Sequence, residues 1–239
     1  MREAFRLEAV TAGYEDTIVL ENVSFEVGEA QALALLGRNG VGKTTVLETI
    51  MGLTTLRSGR LTLNGADITS VPTHMRARGG IGYVPQEREI FPSLTVDENL
   101  RVAVRPGEWT RDRVYELFPR LAQRQRNAGN KLSGGEQQML AIARALVGNP
   151  HVLLLDEPSE GLAPVIVEQL VGALNRLRSE SRMTLILVEQ FADLALELTD
   201  NAVVLDRGQV VWSGTSRDLA SDRERMHALI GLEEEQLAP

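Results

Sequence analysis

Apolar and polar positions alternate around Leu7–Val10 and again at Val23–Val27, the period-two pattern of strands buried on one face. Leu61-Thr62-Leu63 runs into Asn64-Gly65, a pair suited to the two left-handed positions of a type I′ turn, so a hairpin is predicted there. Together these segments predict a small antiparallel sheet near the N-terminus. A different texture lies between them. Ala32–Leu36 is a short apolar run ending in a glycine-rich loop, and Thr44–Met51 then places Val46, Leu47, Ile50 and Met51 on one helical face before Gly52.

Val152–Leu155 and Thr184–Val188 are further unbroken apolar runs, as strands covered on both faces require. Val167, Leu170, Val171, Leu174 and Leu177 recur between them at helical spacing, which predicts a β-α-β crossover in a mostly parallel sheet flanked by helices. Thr184–Val188 reads as the last strand of this core. Glu136–Val147 carries Met139, Leu140, Ile142, Ala143, Leu146 and Val147 on one face and stops at Gly148 and Pro150. The expected organisation is a single α/β domain over residues 1–239. Residues 1–87 and 150–221 form its core, 88–149 an inserted helical subdomain, and 222–239 a short helix with a frayed polar end.

Composition narrows the class. The chain has 239 residues, 43% of them hydrophobic, enough to bury a sizeable core. Its 33 acidic and 25 basic residues give a net charge of −8, which disfavours a nucleic-acid partner. Cysteine is absent, and the histidines His74, His151 and His227 are far apart, so neither a disulfide framework nor a zinc site is expected. No run approaches the roughly 18–20 apolar residues of a membrane helix, and the Met1–Phe5 start lacks the apolar stretch of a signal peptide. An intracellular protein is expected, peripheral if it works at a membrane.

Three motifs carry chemistry. Gly37-Arg38-Asn39-Gly40-Val41-Gly42-Lys43-Thr44-Thr45 fits G-x-x-x-x-G-K-[ST] between an expected strand and an expected helix. Its glycines let backbone N–H groups converge on phosphate oxygens, Lys43 suits the β- and γ-phosphates, and the Thr44 hydroxyl suits Mg²⁺. A glycine-rich helix cap is the plainer alternative, and the flanking elements favour the phosphate loop. The second motif is the strand Val152–Leu155 tipped by Asp156-Glu157, which puts carboxylates at the carboxyl edge of a parallel sheet, where ligands of such sheets bind. Asp156 is the candidate for holding Mg²⁺ and Glu157 for polarising the attacking water. The third is Leu132-Ser133-Gly134-Gly135-Glu136-Gln137-Gln138, where Ser133 and Glu136 form a capping box at the start of a helix. Two adjacent glycines exceed what a cap needs and suggest close backbone approach to a ligand.

Placed between a phosphate loop and a carboxylate-tipped strand, this third motif resembles the signature of ATP-binding cassette (ABC) ATPases. The resemblance implies a P-loop NTPase core with an N-terminal antiparallel β part and an inserted helical subdomain, with ATP and Mg²⁺ as cofactors. It implies that Ser133, Gly134, Gly135 and Glu136 read the ATP held by an opposite subunit. It also implies that Tyr14 stacks on adenine, and that Gln86, in Gly82-Tyr83-Val84-Pro85-Gln86, touches the metal and water. The partners implied are a second ABC ATPase subunit, membrane permease subunits near Phe91–Leu100 and, indirectly, a solute-binding protein, at the cytoplasmic face of the inner membrane.

Two positions depart from the family pattern. Ala163 stands where many members have aspartate, and Gln190, in Val188-Glu189-Gln190, stands where many place a γ-phosphate-sensing histidine. Glutamine donates a hydrogen bond but takes no positive charge. With Glu157–Pro164, these residues resemble the ATPase subunits of branched-chain (hydrophobic) amino acid importers, while Gly82–Pro92 leans toward relatives in urea or short-chain amide uptake. A non-transport ABC ATPase of DNA repair or translation is a remoter alternative, and the chain shows neither heptads nor a second P-loop to support it.

Overall fold

The computed structural model describes residues 3–230, so the frayed end expected near the C-terminus lies outside the described residues. The strands β1 (Glu3–Tyr14) and β2 (Thr17–Gly28) pair antiparallel, as their alternation predicts. The chain then enters a second sheet through β3 (Ala32–Leu36), every residue of which is buried, and continues into α1 (Lys43–Met51). The strands β4 (Thr55–Leu63) and β5 (Ala66–Asp67) return to the first sheet, in the order β2-β1-β4-β5. Asn64 and Gly65 join them with φ of 50° and 79°, the left-handed pair of the expected turn.

After α2 (Thr73–Arg78) and β6 (Ile81–Val84) comes the mainly helical stretch: α3 (Val96–Arg101), α4 (Arg111–Leu117), α5 (Pro119–Gln123), a 3₁₀ turn at Gly129–Lys131 and α6 (Gly134–Leu146). The crossover β7 (Val152–Asp156), α7 (Pro164–Glu180), β8 (Thr184–Val188) follows as predicted. The described chain ends with α8 (Ala192–Glu197), β9 (Asn201–Asp206), β10 (Gln209–Thr215), α9 (Ser216–Ser221) and α10 (Arg223–Ile230).

The second sheet runs β10-β9-β3-β8-β7-β6 and is parallel except for β10. It is larger than the sequence pattern predicts, because β8 is not its last strand. In β9 only Ala202–Leu205 are apolar, between Asn201 and Asp206, too short a run to separate from a loop by periodicity. Alternate residues of the central strands feed two cores. Leu33, Leu35, Leu154 and Ile186 pack toward α1 and the antiparallel sheet, while Ala34, Leu153, Leu155 and Leu187 pack toward α6 and α7. The second core is continuous with Leu100 and Leu121 of the helical stretch, so those helices share a core with the sheet.

Candidate functional site

The glycine-rich loop spans β3 and α1 at the carboxyl edge of the parallel strands. Gly37 has φ 145°, and a Cβ there would fall 2.3 Å from the Leu205 carbonyl oxygen, so the loop hugs the end of β9 and admits no side chain. Gly42 precedes the helix with φ 109°. Lys43 is 4% exposed; its ammonium donates to the carbonyls of Gly37 and Arg38 at 3.0 Å each and lies 3.6 Å from Glu157 Oε1. Val41, in contrast, packs into the core beneath the loop.

Asp156 ends β7 fully buried, and Thr44 Oγ1 donates to its Oδ1 at 3.3 Å. Burial pushes the Asp156 carboxyl up to about 6, only partly opposed by the Thr44 hydrogen bond. Tyr83 approaches the other oxygen, its hydroxyl 3.5 Å from Oδ2, and burial raises this phenol as well. Glu157 adopts φ 45°, a left-handed conformation uncommon for a non-glycine residue. Its N–H donates to the Val188 carbonyl at 2.9 Å. Its Oε2 accepts from Gln190 Nε2 at 2.6 Å and from Gln86 Nε2 at 3.4 Å. Gln86 also bonds Glu160.

Asn39, Gly40, Gly42, Lys43, Thr44, Thr45, Gln86, Glu157 and Gln190 thus converge on one cleft of about 350 Å³, with Val19 and Glu160 completing its wall. Those last two carry no signal in the sequence. Val19 follows the turn after Tyr14, and Glu160 lies one turn beyond Glu157, but neither type nor spacing marks them. Tyr14 stands beside this wall: its hydroxyl bonds Glu48 of α1 and lies 3.4 Å from Thr45 Oγ1. A larger cleft of about 620 Å³ opens between β2 and the β9–β10 end, but no phosphate-loop residue lines it.

Ser133–Glu136 lie outside the 350 Å³ cleft. They form the expected capping box, with Ser133 Oγ accepting from the Glu136 N–H at 3.3 Å and the Glu136 carboxylate accepting from the Ser133 N–H at 2.8 Å. The glycine pair has a packing reason too. A Cβ at Gly135 would meet Ile166 of α7 at 2.5 Å, and one at Gly134 would meet the Arg88 guanidinium at 3.1 Å.

A phosphate loop on a helix N-terminus, facing a buried carboxylate and a strained glutamate across a small polar cleft, defines a P-loop nucleotide-binding protein. The comparisons narrow this class. The family model described as ABC transporter matches residues 20–160. The chain is 41% identical over 219 residues, 90% of its length, to the probable branched-chain amino acid transport ATP-binding protein LivF of Archaeoglobus fulgidus, covering 93% of that protein. It is 40% identical over 94% of its length to the high-affinity branched-chain amino acid transport ATP-binding protein BraG of Pseudomonas aeruginosa, of which it covers 98%. A solved ABC transporter cassette in its ADP conformation superposes with a TM-score of 0.81 at 25% identity, over 97% of this chain and all of that one. The chain belongs to the ABC transporter ATP-binding family and is an ATPase of that family.

Proposed function

We propose that this chain is the ATP-hydrolysing subunit of an importer for branched-chain or other hydrophobic amino acids. Two such cassettes would work together on membrane permease chains at the cytoplasmic face of the membrane. The observation that carries the hydrolytic part is the convergence of Lys43, Glu157 and Gln190 on the phosphate-loop cleft, with Asp156 buried behind Thr44 of its lining. The solute rests on the relatives, two branched-chain amino acid transport proteins matched over nearly the whole chain. Among the described residues no helix is long and apolar enough to cross a membrane.

The backbone N–H groups of Gly40–Lys43 would bind the triphosphate, and Lys43 would exchange its loop carbonyls and Glu157 for phosphate oxygens when nucleotide enters. Thr44 and Asp156 offer hard oxygen donors side by side, a set that fits Mg²⁺, with Gln86 within reach of the same cleft. When bound, the ion would neutralise charge developing on the phosphates. Glu157, freed of Lys43, orients and accepts a proton from the attacking water, while Gln190 holds its Oε2. As the resemblance to the ABC signature implies, Tyr14 would stack on adenine and Ser133–Glu136 of the second cassette would close over the phosphates.

The test is solute uptake in cells lacking this chain. Loss of labelled leucine, isoleucine and valine uptake, restored by the wild-type chain but not by Lys43→Ala, is the expected result. Loss of urea or short-chain amide uptake instead would favour the alternative suggested by Gly82–Pro92. No loss of either would contradict the assignment.

A further inference from the structure

Glu157 is the residue on which the proposed hydrolysis turns, and its backbone sits at φ 45°, an uncommon conformation for a residue with a side chain. A clamp comes from the end of β8, from consecutive residues Val188, Glu189 and Gln190. Val188 takes the Glu157 N–H at 2.9 Å, and Gln190 donates to the Glu157 carboxylate at 2.6 Å. Between them, Glu189 reaches past Glu157 to the residue two positions on. Its Oε1 accepts the Ser159 N–H at 3.0 Å, and its Oε2 accepts the Ser159 hydroxyl at 2.8 Å.

Both partners are 2% exposed, so this is a buried carboxylate gripping one residue by its backbone and its side chain at once. Burying a carboxylate is costly, and a polar group that only needed filling could be replaced by an apolar one at this strand end. Fixing both ends of the segment Glu157–Ser159 removes its freedom to relax out of the left-handed conformation. The same segment leads into Glu160, which Gln86 bonds, and on to Ala163 at the start of α7.

We infer that Glu189 is a positioning residue for hydrolysis: through Ser159 it holds the turn that keeps the Glu157 carboxylate aimed at the attacking water. This rests on Glu157 being the base. Removing the grip should leave the phosphate loop untouched and misplace Glu157. A displacement of about an ångström at a reacting group costs on the order of 100-fold in rate.

The experiment is steady-state ATP hydrolysis and nucleotide binding by the full chain in its assembled complex. Glu189→Ala should lower kcat by on the order of 10–100-fold while ATP affinity stays within about twofold. Glu189→Gln should recover most of the rate, because its amide oxygen accepts the Ser159 N–H and its NH₂ donates to the Ser159 hydroxyl. Ser159→Ala, which keeps the backbone contact, should show a smaller loss and serves as the test if Glu189→Ala does not fold. In a Glu157→Gln background the residual rate should not fall further on adding Glu189→Ala, an equality that a merely structural role would not produce. An unchanged kcat in both Glu189→Ala and Ser159→Ala, or an equal further loss in the Glu157→Gln background, would overturn the inference. If Glu157→Gln alone hydrolyses ATP normally, it is the assignment of the base that fails.

Discussion

Gln190 is the residue at which this chain departs most visibly from its family's pattern, and its geometry gives the departure a consequence. Its amide bonds the Glu157 carboxylate at 2.6 Å, so it bears on the proposed base as well as on any phosphate in the cleft. A neutral amide has no proton to lose between about pH 5 and 8, whereas histidine titrates there. Gln190→Ala should lower the turnover rate on the order of tenfold and change ATP affinity far less, because the lost contact matters most as charge develops. Gln190→His should stay active and acquire a new pH dependence near neutrality, read from kcat against pH with any partner cassette held constant. An unchanged rate and pH profile in both variants would remove Gln190 from the hydrolytic machinery.

Elements owe their positions to contacts of two kinds, and only one kind was legible in the sequence. The buried strands β3, β7 and β8, the helix α1 stopped by Gly52, and the Asn64-Gly65 turn follow from local pattern and turn chemistry. Asp156 and Glu157 could be placed at a sheet edge because a strand end is a local feature. The grip of Glu189 on Ser159 and the Gln86–Glu160 bond join residues 30 and 74 positions apart, and no periodicity encodes such pairings. The support of the phosphate-loop helix is of the same kind. Arg76, 5% exposed, donates to the carbonyls of Thr49 and Ile50 at 2.8 Å each, and to those of Val71 at 2.7 Å and Thr69 at 2.9 Å. It closes the C-terminus of α1 where the helix dipole favours a cation. Gly52 leaves the room, since a Cβ there would lie 3.0 Å from the guanidinium carbon. Arg76→Met should destabilise the fold by about 3 kcal/mol, by leaving these carbonyls without their donor. Urea denaturation checks it, and a loss below about 0.5 kcal/mol would show that water or a neighbour replaces the arginine.

The whole molecule has a pH dependence written into its second buried carboxylate. Burial pushes Glu189 up to about 7 from the 4.5 of a free side chain, against the hydrogen bonds from Ser159. Between those values the folded chain keeps a proton that the unfolded chain has released, so stability falls as pH rises through that window. The contribution is fully present below 4.5 and lost above about 7, on the order of 3 kcal/mol in all. Unfolding midpoints should therefore drop more steeply between about pH 4.5 and 7 in the wild type than in Glu189→Gln, which has nothing to ionise there. Equal slopes would contradict the shift. At the same scale we propose that hydrolysis of ATP runs through Glu157 in a closed pair of cassettes. The most direct test is Glu157→Gln, examined by size-exclusion chromatography and hydrolysis with Mg²⁺ and ATP. The amide keeps the contact with Gln190 but cannot accept the proton, so the variant should bind ATP, elute as a dimer only when ATP is present, and hydrolyse it on the order of 100-fold more slowly or worse. A variant that turns over at the wild-type rate and stays monomeric with ATP would contradict the account.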